Sequence, residues 1–204
     1  MNKFNGLAAI LASFLFIGCV LKPTLSPKYQ QLKPKYVLVL PPENTTSGTE
    51  IEETVYPIIY EKFARRGYYC LSPELARAVF NINKLEDAGR INSIPPAKFK
   101  EIFGVDAVLK VRVTDWSSKY YVISSNVTVK FEMELVHAES GEVLWALTNT
   151  LSKAPGNNQG GGLIGALINA AAHAAFTPYE PIAEENAAMM IKTVPMGRDS
   201  EKKN

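Results

Sequence analysis

Cysteine and histidine are scarce in this chain, which limits both disulfide bonding and metal binding. There are two of each among 204 residues. The histidines, His137 and His173, lie far apart in the sequence and have no neighbours at the spacing of metal ligands. The sequence therefore predicts no metal site and no disulfide framework, and nothing in it indicates a cofactor.

An excess of charge of one sign is also missing. Lysine and arginine number 22 against 20 acidic residues, and the formal net charge is +2. Proteins that bind nucleic acids carry basic residues in clear excess, clustered on one surface. Nucleic acid is therefore not among the predicted partners.

Motifs that carry enzymatic chemistry are absent from the sequence as well. It contains no Gly-x-Ser-x-Gly elbow, no His-Glu-x-x-His, no Cys-x-x-Cys and no phosphate-binding loop. The adjacent acids Glu52-Glu53 and Glu184-Glu185 fall on predicted helices, where neighbouring side chains point to different sides. We predict a protein that is not an enzyme and has no catalytic residues.

The N-terminus has the three parts of a secretory signal peptide. Lys3 precedes an apolar stretch over residues 7–17, which is shorter than the roughly 20 residues of a membrane-spanning helix. Residues 16–19, Phe-Ile-Gly-Cys, resemble the lipobox of bacterial lipoproteins, whose cysteine receives an S-diacylglycerol and an N-acyl chain. We predict a signal peptide over residues 1–18 and a lipid anchor at Cys19, so membrane lipid is the first predicted partner.

Two neighbouring residues bear on this anchor. Phe16 departs from the usual Leu, Val or Ile of a lipobox, which leaves a signal anchor or a secreted protein as the alternative. Val20, not Asp, follows the cysteine. By resemblance to the sorting rule of enterobacterial lipoproteins, this favours the outer membrane, with the protein facing the periplasm or the cell surface.

Cys70 is the only thiol that remains once Cys19 is acylated, so no disulfide can form within the chain. It lies in an apolar stretch, and we interpret it as a buried strand residue. An intermolecular disulfide is the alternative.

Residues 19–35 are predicted to be a tether. They contain Pro23, Pro27 and Pro34 and four lysines, with few apolar residues. Extended at about 3.1 Å per residue, such a segment would hold a domain roughly 40 to 50 Å from its anchor.

A single domain is predicted over residues 36–195, followed by a disordered tail over 196–204. Apolar runs and period-two alternation predict strands at 36–40, 68–71, 105–113, 121–136 and 143–147. Helices are predicted after Thr49 with a kink at Pro57, after Ser72, between Pro96 and Gly104, and from Pro181 to Ile191. The fold class is therefore α/β, bordering on α+β, with a mixed sheet of about five strands and helices packed on it.

A Gly-rich segment over residues 156–176 interrupts this pattern. Its glycines are followed by Leu163, Ile164 and an alanine run to Ala175. It could be a loop leading into a helix that packs on the domain, a small-residue face for helix contact in an oligomer or membrane, or an insertion into lipid. At 1.5 Å per residue, residues 163–176 reach about 21 Å, short of a ~30 Å hydrocarbon core.

Several stretches together resemble one family, the bacterial lipoproteins of unknown function typified by a neisserial surface lipoprotein. The stretches that carry the resemblance cover residues 37–44, 67–69 with Pro73, 94–96, 102–107, 140–145 and 160–167. The resemblance implies an outer-membrane lipoprotein whose domain is similar to the N-terminal domain of TolB. It also implies association with a pore-type lipoprotein like that of curli secretion.

The functional hypothesis is an accessory binding module in envelope transport or assembly, with an envelope protein as its partner. The alternatives are an activator lipoprotein of a peptidoglycan enzyme and a structural homo-oligomer. Loops held by a rigid sheet are frequent recognition sites. The candidate partner contacts are Pro42, Asn44, Gly160, Gly161, Gly162, Leu163 and Gly165.

The lipid anchor yields the first testable prediction. Cys19→Ala removes the acylated thiol, so the protein should move from the membrane fraction to the soluble fraction of fractionated cells. Cys70→Ala is the matched control and should leave the protein in the membrane fraction. An unchanged membrane fraction for Cys19→Ala would contradict lipidation.

Overall fold

The computed structural model describes residues 21–121, 124–153 and 179–197, and for residues 119–121, 124 and 125 it describes the backbone only. Its elements in chain order are β1 (Thr24–Leu25), α1 (Tyr29–Leu32), β2 (Tyr36–Val39), β3 (Glu43–Asn44), α2 (Ile51–Arg65), β4 (Tyr69–Cys70), α3 (Pro73–Ile82), α4 (Ala88–Ser93), α5 (Pro96–Phe103), β5 (Ala107–Tyr121), β6 (Ser124–His137), β7 (Val143–Lys153) and α6 (Glu180–Ile191).

The strands form one mixed sheet. It has 7 strands in the order β1-β7-β6-β5-β2-β4, with β3 also pairing with β5. The pairs β2–β4, β2–β5 and β3–β5 are parallel, and the pairs β5–β6, β6–β7 and β1–β7 are antiparallel. The predicted fold class is confirmed, and the sheet exceeds the predicted five strands by β1 and β3.

Helices cover both faces of the sheet. The core on one face is closed by α2 and α6, and the smaller core on the other face by α3, α4 and α5. Strand β2 contributes to both, because Val37 and Val39 face the first core and Leu38 and Leu40 face the second. The strand predicted at residues 36–40 is thus confirmed, and its continuous apolar run reflects burial on both faces.

Strand β6 forms the centre of the larger core. Its odd-numbered side chains from Val127 to Leu135 are at most 1% exposed, whereas the even-numbered side chains from Thr128 to Glu134 are polar and partly or fully exposed on the other face. The buried set is Val127, Val129, Phe131, Met133 and Leu135. The period-two alternation that predicted a strand at residues 121–136 thus corresponds to a strand with one apolar and one polar face.

Helix ends follow local signals, with one correction. The Ser72 hydroxyl accepts a hydrogen bond from the Leu75 amide, and α5 ends at Gly104 in the left-handed region, both as predicted. Thr49, however, does not cap α2. The first helical hydrogen bond runs from Thr54 N to Glu50 O, so Glu50 occupies the cap position and the helix begins one residue later. Among the described helices, none combines the length and apolar character needed to cross a bilayer.

Helix α6 is fixed on the sheet by a buried asparagine. Asn186 is fully buried, and its amide nitrogen donates to Val129 O at 2.9 Å while its side-chain oxygen accepts from Asn149 Nδ2 at 2.7 Å. A buried amide without such partners would be costly, so this pair sets the position of the helix along the strands.

The N-terminal segment packs on the domain, which corrects the predicted tether over residues 19–35. Thr24 and Leu25 pair with Ala146 and Trp145 of β7. The edge of β7 offers backbone groups with which a further strand can form hydrogen bonds. From Thr24 onward the segment is therefore part of the domain and not a free spacer. Leu21, Lys22 and Pro23 are the described residues that precede this pairing, and Leu21 already packs against the larger core.

Tyr29 in α1 ties this segment to the far end of the chain. It is 4% exposed, and its hydroxyl bonds to the hydroxyl of Tyr68, which donates to Pro195 O at 2.8 Å. Gly197 N donates to Arg66 O at 2.9 Å. The ordered domain thus begins before residue 36 and extends two residues into the predicted disordered tail.

Substitution of Tyr29 tests whether the segment belongs to the fold. Tyr29→Ala removes a buried aromatic ring and should lower the free energy of unfolding by about 3 kcal/mol or more. The exposed neighbour offers a matched control, because Gln30→Ala should change it by less than about 0.5 kcal/mol. Equal stability of both variants in urea titrations would show that residues 24–35 are a tether after all.

Candidate functional site

The loop over residues 42–48, here called the β3 loop, is held in shape by its own hydrogen bonds. Asn44 Oδ1 accepts from Thr46 N at 2.8 Å, and Asn44 Nδ2 donates to Gly48 O at 2.6 Å. Such Asx bonds fix a turn without help from regular structure. The loop is therefore shaped before any partner arrives.

The two predicted contacts in this loop differ in accessibility. Asn44 is exposed, although its amide is committed to the turn. Pro42 is buried, so the prediction that it contacts a partner is wrong for its side chain. Pro41 and Pro42 lie where the chain crosses from β2 to β3, and the Pro41 carbonyl accepts a hydrogen bond from Asn92 Nδ2 at 2.9 Å.

A stacked aromatic pair adjoins the β3 loop. The rings of Trp116 and Tyr179 lie 4.7 Å apart at an interplanar angle of 13°. Trp116 Nε1 donates to Glu50 Oε1 at 2.9 Å, and this hydrogen bond holds the pKa of Glu50 below its usual range. A Cβ on Gly48 would lie 2.8 Å from Trp116 Cδ1, so the loop approaches the stack closely.

The Gly-rich segment lies outside the described residues, and with it Gly160, Gly161, Gly162, Leu163 and Gly165. Its flanks are described. Tyr179 stacks on Trp116, and Lys153 pairs with Glu185 of α6. Because Lys153 and Trp116 lie within two register positions of one another across β6, both flanks and the β3 loop share one end of the sheet.

A charged cavity of about 220 Å³ lies beside the β3 loop, between β3, α4, β5 and β6. Arg112 Nε donates to Glu43 Oε2 at 2.9 Å, and Arg112 Nη1 lies 3.5 Å from Glu132 Oε2. The hydrogen bond to Glu43 raises the pKa of Arg112. The guanidinium therefore joins β3 to the polar face of the sheet.

Sequence reasoning missed this cavity. Its charges at positions 110, 112, 132 and 134 resemble the solvated side of an alternating strand, and α4 was not predicted. The sequence did contain a signal for it. Positions 110 and 112 on β5 and positions 132 and 134 on β6 are each two residues apart on adjacent strands, which places all four side chains on one face.

Four carboxyl groups of the described residues have pKa values shifted from their usual range. The carboxyl groups of Glu50, Glu74, Glu139 and Glu142 all have lowered pKa values, because hydrogen bonds favour their ionised forms. Cys70 lies in β4 but is only half-buried, so its interpretation as a buried strand residue holds in part; this partial burial raises the pKa of its thiol to about 12. The described part of the chain contains no group of three side chains suited to holding a metal ion.

Comparison with known proteins identifies the family. The model of the family described as "Putative lipoprotein GNA1162-like" matches residues 26–193. The chain belongs to the GNA1162-like lipoprotein family. This confirms the resemblance to the neisserial lipoproteins, and it makes the chain a member of a family of membrane-anchored envelope proteins.

One curated relative and two solved structures show the extent of the similarity. "Putative lipoprotein NMB1124/NMB1162" of Neisseria meningitidis serogroup B is 31% identical over 168 residues, covering 81% of this chain and 76% of the relative. The crystal structure of lipoprotein GNA1162 from Neisseria meningitidis matches with a TM-score of 0.58 at 28% identity, covering 71% of this chain and 100% of that one.

The second structure, the PelC dodecamer from Paraburkholderia phytofirmans, has a TM-score of 0.53 at 15% identity and covers 86% of this chain and 98% of that one. At that identity the likeness shows a shared fold alone.

The contact between the β3 loop and the aromatic stack can be tested at Gly48. Gly48→Ala places a methyl group against Trp116 and should lower the free energy of unfolding by about 1 to 3 kcal/mol. It should also change the near-ultraviolet circular dichroism of the tryptophan. Gly89→Ala is the control, because its nearest neighbour is the Asp87 carboxylate at 3.3 Å, and an unchanged spectrum for both would contradict the contact.

Proposed function

We propose that this protein is a non-enzymatic accessory lipoprotein, anchored through Cys19 in the outer membrane, that docks an envelope protein at the β3 loop. The observation that carries the proposal is the packing of the N-terminal segment on β7. Five residue steps separate Cys19 from Thr24, which at 3.3 to 3.6 Å per step span at most about 18 Å. The anchor therefore keeps the β1 edge of the sheet close to the lipid.

The β3 loop lies across the sheet from that edge. Strands β7, β6 and β5 stand between β1 and β3, so four strand spacings of about 4.8 Å separate them by roughly 19 Å. A lipid-held β1 edge thus leaves the loop free to meet another protein. This arrangement supports a docking role near the membrane surface.

The stiffness of the β3 loop supports the same role. Ordering a flexible loop on binding costs free energy, and the Asn44 hydrogen bonds supply that order in advance. Ser47, at the tip, is exposed. A partner can therefore recognise a defined backbone shape.

The proposed partner is a pore-type lipoprotein like that of curli secretion, which the family resemblance implies. The flanks of the Gly-rich segment share the end of the sheet with the β3 loop, and we assign residues 160–165 to the same partner surface. Deleting this segment should then weaken capture of the partner, as changes in the loop should.

Site-specific crosslinking in cells tests the docking role. A photoreactive residue at Ser47 should crosslink to the pore-type lipoprotein, because the loop tip is exposed at the proposed contact. The matched position is Glu139, which is exposed in the turn between β6 and β7 at the opposite end of the sheet and should give little product. Immunoblots against the partner measure both.

Other outcomes would replace the proposal. Products that contain only further copies of this chain would support a structural oligomer. Products that contain a peptidoglycan enzyme would support an activator. Equal crosslinking from Ser47 and Glu139 would contradict a contact at the β3 loop.

A further inference from the structure

The charged cavity beside the β3 loop contains an opposed pair of charges that do not meet. Lys110 and Glu134 are direct partners in the register of β5 and β6, so their side chains leave the sheet on the same face. Cross-strand partners have Cβ atoms about 4.5 to 5.5 Å apart, near enough for an ion pair. No Lys110–Glu134 bridge occurs among the ion pairs of the described residues. Both side chains line the cavity instead.

Lys110 is held away from Glu134 by the end of α4. Its Nζ donates to Asn92 O at 2.8 Å, which uses one of three ammonium hydrogens. Glu134 is exposed and has no hydrogen-bond or ion-pair partner among the described residues. The cavity therefore offers a cation with spare donors on one side and a carboxylate with free acceptors on the other.

Asn92 adds a neutral acceptor to the cavity wall. It is 8% exposed, and its amide nitrogen donates to Pro41 O at 2.9 Å and to Ala88 O at 2.8 Å. The side-chain oxygen has no hydrogen-bond donor among the described residues. The two hydrogen bonds that Nδ2 donates fix the orientation of the amide, so the position of the free acceptor Oδ1 is also fixed.

The remaining charges of the cavity already have partners. Arg112 engages Glu43 and Glu132, and Lys130 Nζ lies 3.8 Å from Glu132 Oε1. Among the described charged side chains that line the cavity, Lys110 and Glu134 are therefore the two without an oppositely charged partner. A ligand that carries both a negative and a positive charge would pair with both of them, whereas a simple anion would pair only with Lys110 and a simple cation only with Glu134.

We propose that this cavity binds a small zwitterion of the amino-acid class, with its carboxylate on Lys110 and its ammonium group on Glu134 and Asn92 Oδ1. The cavity volume of about 220 Å³ equals roughly seven waters at ~30 Å³ each, which admits a ligand of that size. Lys110 is half-buried, so the charge pair on its side of the cavity would be stronger than in bulk water. The proposal is independent of the anchor and of the docking partner.

Calorimetry with the intact lipoprotein in detergent tests this site. Glycine and alanine are the probes, and acetate and methylammonium each carry one of the two charges. We expect the zwitterions to bind at least about tenfold more tightly than either half-ligand, because each half leaves one charge of the cavity unanswered. Methylammonium binding as tightly as alanine would overturn the proposal, and so would the absence of binding by either amino acid.

Two variants locate the binding to the cavity. Glu134→Gln and Lys110→Met should each weaken alanine binding at least about tenfold, while Glu139→Gln, at an exposed turn far from the cavity, should leave it unchanged. Thermal unfolding of each variant checks its fold. If a cavity variant does not fold, the comparison of alanine with its half-ligands on the unaltered protein still decides. Alanine binding that survives both folded variants would overturn the assignment.

Discussion

The apolar face of β6 has to be covered, and the architecture depends on how this is done. Helix α2 precedes the strand in the sequence and covers part of that face, but α6 follows it only after residues 154–178. The chain must therefore leave β7 and return to the same end of the sheet, where Lys153 and Tyr179 lie. The clustering of these flanks with the β3 loop is thus a result of closing the core, with Asn186 setting the position of the returning helix.

The N-terminal segment packs against the hairpin of β6 and β7, along the outer edge of β7. Glu142, in the turn between β6 and β7, accepts from the Ser26 hydroxyl and from Lys28 Nζ, both at 2.7 Å. A lipid anchor at the proposed position Cys19 would therefore be connected to the strands that form the core, and not to a loose appendage.

The sequence predicted the elements whose own residues carry a strong pattern. Five large apolar side chains at alternate positions identify β6, and Ser72 with Pro73 identifies the start of α3. In contrast, β1 and β3 are two residues long and have no periodicity, because the edge and the face of a sheet formed elsewhere determine them. Helix α4 contains Gly89 and has no apolar repeat, and it depends on the Asp87 cap and on the bonds of Asn92.

The candidate site divides in the same way. A polar loop after a buried strand can be predicted from the sequence, and the β3 loop with Asn44 lies where the sequence indicates it. The burial of Pro42 and the separation of Lys110 from Glu134 cannot be predicted from the sequence. Both depend on α4, which packs beside β3. Charged residues at alternate positions of a strand usually face solvent, and only the tertiary fold shows that these enclose a cavity.

The partial burial of Cys70 has a consequence for the life of the protein after export. Thiol–disulfide exchange needs the thiolate, and a pKa of about 12 leaves about one thiol in 10⁵ ionised at neutral pH. In an unfolded chain the ordinary pKa near 8.5 leaves about 3% ionised, roughly three thousandfold more. Outside the cytoplasm, where thiols encounter oxidants, Cys70 is thus open to disulfide formation chiefly while the chain is unfolded, and its raised pKa in the fold slows that reaction.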